Sequence, residues 1–398
     1  MWSKKKWISV TVALLIVTNL STAYVFSSKK GVSPNNNEVA KFNKLFLVRD
    51  RLYKYYDGKI SDEVLVEGAI KGMTNSLKDP YTVFMNKKEY EEFNSQIEGS
   101  YVGIGIQVGV KDNKIVIIST FDDSPAKKAG LISGDVIKKI NDTEVNAEGL
   151  DKAISMMKGK LGRVINLTIS RQTRGDFNVK LKADTIELQT VKGEVLKNNI
   201  GYIQISMFDE NTSDNFNKKL KELKDKGIKG LVLDLRENPG GSLKTCVEVV
   251  SNFIPKKSVV VSTVDKYDKK KEYKSEGGMA INMPLVVLTD GGSASASEIV
   301  SGAIKDYKVG TLIGEKTFGK GIVQAMVDTL DDTALKVTIS KYYTPNGVNI
   351  HHKGINPDIE VKYPDKLKEE NLKNGYDRNK DPQFEEALEV IGEKIKNK

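Results

Sequence analysis

The sequence predicts an α/β protein whose layered core carries a smaller, strand-rich inserted domain, with helical segments before and after. Three observations predict this arrangement. Residues 200–360 repeat the order strand, glycine turn and helix, as in KGLVLDLRENPGGSLKTCVEVV, which is typical of α/β layers. Residues 100–182 contain several short apolar strands and one helix. Residues 38–95 show apolar residues at helical spacing.

The composition is that of a soluble globular protein with room for several domains. Of its 398 residues 39% are apolar and 29% charged. Five lysines and no acidic residue lie in residues 1–37, so more than half of the formal charge of +9 lies there. The remaining charge is too dilute for a nucleic-acid groove. The single cysteine, Cys246, excludes an internal disulfide, and its apolar surroundings indicate core packing.

Residues 1–28 are predicted to be a transmembrane signal anchor. Three lysines precede WISVTVALLIVTNLSTAYVF, which has no charged residue and, at about twenty residues, can span a hydrocarbon core of ~30 Å. The lysines favour an N-terminus in the cytoplasm with the rest of the chain outside it, at the cell membrane. The alternative is a cleaved signal peptide, after which the protein would be secreted.

Residues 29–95 are predicted to form a linker and an N-terminal helical region. The polar stretch KKGVSPNNN has no pattern, and a helical apolar stripe follows from Glu38 to Tyr56. Ser61 can cap a second helix that runs to about Met73. After DPYTVFM interrupts the helical pattern, KKEYEEF indicates a third short helix.

Residues 96–182 are predicted to be a PDZ domain. The strands YVGIGIQVGV, KIVIIST, GDVIKKINDTEV and RVINLTISR are interrupted by the helix EGLDKAISMMKG. The backbone N–H groups of Gly103, Ile104, Gly105 and Ile106 would hold the terminal carboxylate of a peptide that adds as an extra strand. A glycine turn alone could equally be a plain hairpin, but SPAKKAGLISGDVIKKIN downstream favours the PDZ interpretation.

Residues 183–360 are predicted to form the core and residues 361–398 a C-terminal helical arm. The predicted core strands are IGYIQISMF, KGLVLDLR, MPLVVLTD, VGTLIGE and ALKVTISKYY. Helices are expected in SDNFNKKLKELKDKG, from about Leu243 to Phe253, and after the serine-rich turn that follows MPLVVLTD. These units repeat the order of strand, turn and helix that an α/β layer requires.

The segment DGGSASASEIVSGAI places Ser295 at the start of a predicted helix. Unpaired backbone N–H groups and the positive end of the helix dipole point outward there. Such groups can hold the oxyanion that forms when a hydroxyl attacks a carbonyl. A serine that only caps the helix fits the same position. A second glycine turn, ENPGGSL, could bring the N–H groups of Gly240 and Gly241 close to a ligand.

A nucleophilic serine needs a base, and Lys320 in GEKTFGKGIVQ is a candidate. A lysine base must be neutral, so its pKa has to fall from about 10.4 toward 7 through burial in an apolar setting. Phe318, Ile322 and Val323 could supply that setting. The only histidines are His351 and His352. As neighbours on a strand they would point to opposite faces, so one of them could reach a site, although two surface residues are the more ordinary interpretation.

Together, GGSASASE, NPGG and FGKGIVQ resemble the C-terminal processing peptidases, also called tail-specific proteases. DPYTVF, YYTPNGVNIHHKGINPD and DPQFEEALEVI extend this resemblance over nearly the whole exported chain. The resemblance implies that Ser295 is the nucleophile and Lys320, 25 residues later, its base. It also implies that Gln324 orients the lysine and that the backbone amides of Gly241 and Ala296 form the oxyanion hole.

The resemblance further implies a crotonase-like layered protease core with an inserted PDZ domain and helical arms at both ends. The implied protein is a membrane-anchored, extracytoplasmic serine endopeptidase that captures protein C-termini, forms homodimers through its arms and needs no metal or nucleotide. Two alternatives stay open. One is a PDZ scaffold without activity, which the intact candidate residues oppose. The other is a crotonase-type acyl-thioester enzyme, which the export segment opposes.

Overall fold

The structure of the protein, a computed structural model, describes residues 36–398 and divides the chain after Ser76. In the first unit, helix α1 (Asn36–Tyr55) and helix α2 (Asp62–Asn75) confirm the two predicted N-terminal helices. The Arg49 guanidinium joins them by donating to both carboxylate oxygens of Asp62, at 2.7 and 2.6 Å. Ser61 is the N-cap residue of α2, but its side chain makes no capping hydrogen bond.

The predicted membrane anchor lies outside the described residues. Within residues 36–398, no helix combines the length and the apolarity that a membrane span requires.

The second unit begins with strand β1 (Val83–Met85) and helix α3 (Lys87–Glu98), which confirms the predicted third helix. Asn86 caps α3: its side chain accepts from the N–H of Glu89 at 3.0 Å, and the Glu89 carboxylate accepts from the N–H of Asn86 at 2.9 Å. Such a reciprocal pair fixes where a helix starts.

The strand-rich domain follows α3. Its elements are β2 (Ser100–Gly103), β3 (Ile106–Lys111), β4 (Lys114–Thr120), α4 (Pro125–Lys128), β5 (Val136–Ile140), β6 (Thr143–Glu144), α5 (Leu150–Met157), β7 (Val164–Arg171), β8 (Gly175–Lys182) and β9 (Asp184–Glu187). One sheet has the order β3-β4-β5-β7-β8, with β6 paired to β5, while β2 pairs only with β9. The segment YVGIGIQVGV therefore forms two strands rather than one, on either side of the predicted glycine loop, and the two strands join different sheets.

The core contains a six-stranded sheet that is mostly parallel. Its strands are β10 (Val191–Leu196), β11 (Ile200–Ile205), β12 (Gly230–Asp234), β15 (Leu285–Thr289), β16 (Thr311–Gly314) and β19 (Ile359–Glu360), in that order. Only β10 runs antiparallel to its neighbour. Every residue of β12 and β15 is buried, which explains their continuous apolar runs, since a parallel strand is covered on both faces.

Helices cover both faces of this sheet. One face packs against α6 (Thr212–Asp225), α7 (Leu243–Ser251) and α8 (Ala296–Asp306), and Cys246 is buried in this layer as predicted. The other face packs against the C-terminal helix α10 (Pro382–Lys396), which follows α9 (Asp365–Asn374). Beyond α7 and α8 lies a second sheet of β1, β13 (Val259–Asp265), β14 (Lys270–Lys274), β17 (Ile322–Asp328) and β18 (Ala334–Tyr343).

The alternation of strands and helices in the core is thus confirmed, and the chain has a mixed α/β fold. The sequence analysis did not predict β13, β14 or β17. A crotonase-like layering of the core remains a prediction.

Candidate active site

Ser295 follows β15 and the glycine turn 240–241 follows β12. Because these two strands are parallel neighbours, the segments after them meet at one edge of the sheet, where α/β proteins place their ligand sites. Helix α8 begins at Ala296 and leaves Ser295 in the connecting turn, as predicted.

The backbone of Ser295 is strained and firmly held. Its φ of 53° and ψ of −110° are unfavourable for a residue with a side chain, at a typical cost of about 1–3 kcal/mol. The N–H of Ser295 donates to the Glu298 carboxylate at 2.9 Å. The buried hydroxyl of Tyr342 donates to the Ser295 carbonyl oxygen at 3.0 Å. These two hydrogen bonds fix the peptide groups on both sides of the candidate nucleophile.

The glycine turn packs directly against Ser295. A Cβ atom on Gly240, where φ is 103°, would lie 2.8 Å from the Ser295 Cβ and 2.9 Å from the Ala296 nitrogen. A Cβ atom on Gly241 would run into the carbonyl oxygen of Phe208. Glycine is therefore required at both positions by close backbone approach.

Two backbone amides beside Ser295 are unused. Within the part of the chain that the structure describes, neither the N–H of Gly241 nor that of Ala296 donates a hydrogen bond. Asn238 holds the two segments together, since its carbonyl oxygen accepts from the N–H of Ala294 at 2.9 Å and its side chain accepts from the N–H of Gly240 at 2.9 Å. If negative charge develops on a bound group here, both N–H groups can donate to it, because neither donates to another acceptor in the described chain.

Lys320 lies in the loop between β16 and β17. Its Nζ atom is 4.6 Å from the centroid of the Tyr81 ring and makes no hydrogen bond or ion pair with any residue in the described range. Burial lowers the pKa of Lys320, as does the nearby charge of Lys336, while Asp79 and Glu298 oppose the shift. The net direction is the one that a general base needs.

Gln324 lies on β17, and its side-chain nitrogen is buried without a partner among residues 36–398. Ser295, Lys320 and Gln324 thus lie in one region, but no hydrogen bond connects their side chains. The expected orientation of the lysine by Gln324 is therefore not seen as a hydrogen bond.

A cleft of about 370 Å³ brings these residues together. Its walls include all five predicted catalytic and oxyanion residues, namely Gly241, Ser295, Ala296, Lys320 and Gln324. Apolar side chains supply most of the rest, with contributions from α3 as well as from the core. Among the described residues, no aspartate or glutamate lines the cleft.

Glu298 is a residue whose importance the sequence analysis missed. It is fully buried, and besides the N–H of Ser295 its carboxylate accepts from the Thr317 hydroxyl at 2.6 Å, the N–H of Gly319 at 2.7 Å and the N–H of Lys320 at 2.8 Å. Burial raises the pKa of Glu298 above its ordinary value, and these hydrogen bonds limit the rise. Because every partner donates, the carboxyl group is ionised. It joins the turn that contains Ser295, here called the nucleophile turn, to the loop that contains Lys320, here called the lysine loop. The available signal was the glutamate three residues after a helix-capping serine.

Two expectations about neighbouring side chains are wrong. His351 and His352 do not occupy opposite faces of a strand: they lie in a turn with ring centroids 3.8 Å apart. The N–H of His352 donates to the Gly319 carbonyl at 2.8 Å, so the pair packs behind the lysine loop, and neither histidine lines the cleft. Phe318 does not shield Lys320, because its side chain is 57% exposed, whereas Ile322 and Val323 do line the cleft.

In the strand-rich domain, residues 103–106 span the connection between β2 and β3: Gly103 ends β2, Ile104 and Gly105 form the loop, and Ile106 begins β3. Gly105 has a φ of 75°, and a Cβ atom there would collide with the Ser124 side chain. The N–H groups of Ile104 and Gly105 have no hydrogen-bond partner in the described chain. Strand β3 is at the edge of its sheet, so both free amides and a free strand edge are present for a peptide.

Three protein-family models match the chain. The model of peptidase family S41 matches residues 199–361, and a PDZ model matches residues 102–186. A model described as the N-terminal domain of the activating protease CtpB matches residues 10–89. The candidate catalytic residues all fall within the first of these matches.

Characterised relatives match most of the chain. The carboxy-terminal processing protease CtpB of Bacillus subtilis (strain 168) is 38% identical over 356 residues, which cover 88% of this chain and 74% of the relative. CtpA of the same strain is 36% identical over 363 residues, or 90% of this chain and 78% of the relative. A solved structure of a Bacteroides fragilis protein assigned to the S41 proteases is similar in fold, with a TM-score of 0.52 at 17% identity, covering 85% of this chain and 92% of that one.

Proposed function

The chain belongs to the carboxy-terminal processing proteases, serine peptidases of family S41, and from this premise we propose that it cleaves proteins by a Ser295–Lys320 mechanism through an acyl-enzyme. The observation that carries the proposal is the common cleft, which is lined by both side chains, by Gln324 and by the amides of Gly241 and Ala296. A half-buried lysine that has no hydrogen bond or ion pair in the described chain, in one cleft with a serine at a helix N-terminus, matches the requirements of an activated nucleophile.

In the first step, the Lys320 side chain rotates away from Tyr81, and its neutral amine accepts the Ser295 hydroxyl proton. The serine oxygen attacks the scissile carbonyl, and the N–H groups of Gly241 and Ala296 donate to the resulting oxyanion. Protonated Lys320 then gives its proton to the leaving amine, and the C–N bond breaks. In the second step, Lys320 takes a proton from water, and the water oxygen attacks the ester carbonyl. The ester C–O bond then breaks, and Lys320 returns the proton to the Ser295 oxygen, which restores the serine.

Gln324 has the role of orienting the lysine in this mechanism. Its buried, unpartnered side-chain nitrogen is costly to leave unsatisfied. A hydrogen bond formed during turnover would remove that cost, which supports a role that appears only when substrate is bound.

The direct test uses the full-length chain in detergent with an internally quenched peptide. Wild-type protein should cleave the peptide, and Ser295→Ala should reduce the rate to background. A slowly hydrolysed ester should leave an acyl group on Ser295 that mass spectrometry detects. Turnover by Ser295→Ala, or an acyl group on another residue, would contradict the mechanism.

The PDZ domain would capture the C-terminus of a protein substrate. The edge strand β3 and the free amides of Ile104 and Gly105 support this proposal. A long substrate with a free C-terminal carboxylate should be cleaved faster than the same substrate with a C-terminal amide. A short activated ester, which cannot reach the loop, serves as control. Equal rates for the two long substrates would count against capture.

The proposal also places the protein at the cell membrane, with its catalytic part outside the cytoplasm. The lysines before the apolar N-terminal segment support this topology. External protease should degrade the catalytic part in intact protoplasts, and full protection would refute the topology. Release of the intact catalytic part into the medium would instead support the secreted alternative.

Homodimers are proposed as well, through the terminal helices. Apolar side chains on α1 such as Phe46, which is 64% exposed, support a partner surface there. Analytical ultracentrifugation of the chain in detergent should give twice the monomer mass.

A further inference from the structure

The cleft contains a second lysine that the proposed mechanism does not use. Lys336 lies on β18 and lines the same cleft as Lys320. The cleft wall therefore presents two ammonium groups and, among the described residues, no carboxylate. A substrate group of negative charge would meet only positive partners there.

The ammonium group of Lys336 has no anionic partner within residues 36–398. Within the described residues it makes no hydrogen bond or ion pair, and its Nζ atom is 5.2 Å from the centroid of the Phe93 ring, which also lines the cleft. Burial lowers the pKa of Lys336. A partly buried ammonium loses hydration, and its contact with an aromatic ring compensates only in part, so it is a favourable place for an added carboxylate.

The position of Lys336 is set by the pairing of β17 and β18. Lys336 is directly opposite Met326, and directly opposite residues share one face of a sheet. Met326 also lines the cleft and lies two residues beyond Gln324. Lys336 is thus displaced along the strand from Gln324 by about 7 Å, the length of roughly two residues of extended peptide.

From this geometry we infer that Lys336 is a specificity residue that binds a carboxylate of the substrate near the scissile bond. The inference rests on the proposed peptidase function. The carboxylate has two possible sources: an aspartate or glutamate side chain within a few residues of the bond, or the C-terminal carboxylate of a substrate whose tail beyond the bond is short. Both sources supply the same planar anion, and a lysine binds it by a charge-assisted hydrogen bond.

The experiment measures kcat/KM of the full-length chain on internally quenched peptides. One neutral, cleavable parent is varied by placing glutamate, or its uncharged isostere glutamine, at each of four positions on both sides of the bond. A second set ends two or three residues beyond the bond in either a carboxylate or an amide. We expect glutamate to exceed glutamine at one position, or carboxylate to exceed amide, by about tenfold, the gain of one hydrogen bond to a charged group.

Variants of Lys336 test whether this residue causes the preference for a carboxylate. Lys336→Met should remove it, Lys336→Arg should keep it, and Lys336→Glu should reverse it in favour of lysine over glutamine at the same position. Lys341→Met removes one positive charge from an exposed position on the same strand and is the matched control, with an unchanged preference. Because the arginine and glutamate variants predict opposite results, a folding defect in one of them does not hide the answer.

The outcomes distinguish a failure of the inference about Lys336 from a failure of the proposed peptidase function. A preference at one side-chain position identifies an acidic residue as the ligand, and a preference seen only between carboxylate and amide identifies the substrate terminus. An acidic preference that persists in Lys336→Met, or no preference anywhere in a wild type that cleaves the neutral parent, overturns the inference alone. Cleavage by Ser295→Ala overturns the serine mechanism instead.

Discussion

Replacing Glu298 by glutamine keeps the size of the side chain but removes its negative charge. In the structure each carboxylate oxygen accepts two hydrogen bonds, one oxygen from Thr317 and Gly319 and the other from Ser295 and Lys320. Glutamine can offer its carbonyl oxygen to only one of these pairs. Its NH₂ group must then face the other pair, so two hydrogen bonds to the carboxylate are lost and at least one buried N–H group stays without a partner.

The magnitude follows from the number of lost bonds. At about 1.5–3 kcal/mol for each hydrogen bond to a charged group, two of them are worth about 3–6 kcal/mol. For a unit of this size that corresponds to a fall in Tm of about 4–9 °C. Because the same bonds position both the nucleophile turn and the lysine loop, kcat should fall about 100-fold, the cost of a misplacement of about 1 Å, while KM changes little.

A pH profile distinguishes this role from simple structural support. The negative charge of Glu298 raises the pKa of Lys320, so its removal should lower that pKa further. The neutral amine would then be available at lower pH, and the acid limb of the kcat profile should move to lower pH. Glu298→Asp keeps the charge but shortens the side chain, so it should lose kcat with its acid limb nearly in place.

The assay is hydrolysis of a short activated ester, which does not depend on the PDZ domain, followed across pH beside thermal unfolding by circular dichroism. The reasoning is refuted if Glu298→Gln keeps kcat within a few fold of wild type with an unshifted acid limb. It is equally refuted if the aspartate and glutamine variants show the same pH profile.

Four further changes probe the rest of the site. Lys320→Arg keeps the positive charge but cannot lose its proton, so ester hydrolysis should fall to background, and retention of a tenth of the rate would contradict the base assignment. Lys336→Met removes a charge that lowers the pKa of Lys320, so the acid limb of kcat should move to higher pH. Gly240→Ala puts a methyl group against the oxyanion turn and should cost about 100-fold in kcat, as loss of one donor does. Replacing both His351 and His352 by alanine should leave the pH profile unchanged, and a folded but inactive double variant would show that they matter.

The sequence predicted the core elements well where local pattern and tertiary burial agree. The apolar runs of β12 and β15 and the glycine turns after them are short-range signals, and both strands lie in the parallel sheet. The failures concern features set by long-range pairing. The strands on either side of Ile104 and Gly105 lie in different sheets because β2 pairs with β9 rather than with β4. Strand β9 lies about eighty residues further along the chain, so the local pattern does not reveal this pairing.

The difference between local patterns and long-range contacts also explains what could be predicted of the candidate site. Ser295 and Lys320 could be proposed from the sequence because each lies in a long motif, and the structure places both in one cleft. Glu298 was overlooked because three of its four hydrogen bonds come from a loop about twenty residues later. Phe318 was misjudged because hydrophobicity does not tell which way a loop side chain turns, and here it turns outward. Nothing in the sequence distinguishes Lys336 from the other lysines on strands. Its place at the cleft follows from its pairing with Met326.

In the described chain no hydrogen bond joins the side chains of the candidate triad, Ser295, Lys320 and Gln324, and the same contacts indicate how these side chains could meet. The backbones of Ser295 and Lys320 are bound to one carboxylate, so a movement of the side chains alone would have to bring amine and hydroxyl together. The contact with the Tyr81 ring favours the protonated amine, and such a contact is worth only about 0.5–2 kcal/mol. A peptide that fills the apolar cleft removes water from the lysine, which favours the neutral amine and weakens its attraction to the ring. Substrate binding therefore acts in the direction that releases Lys320 toward Ser295 at the moment when a base is needed.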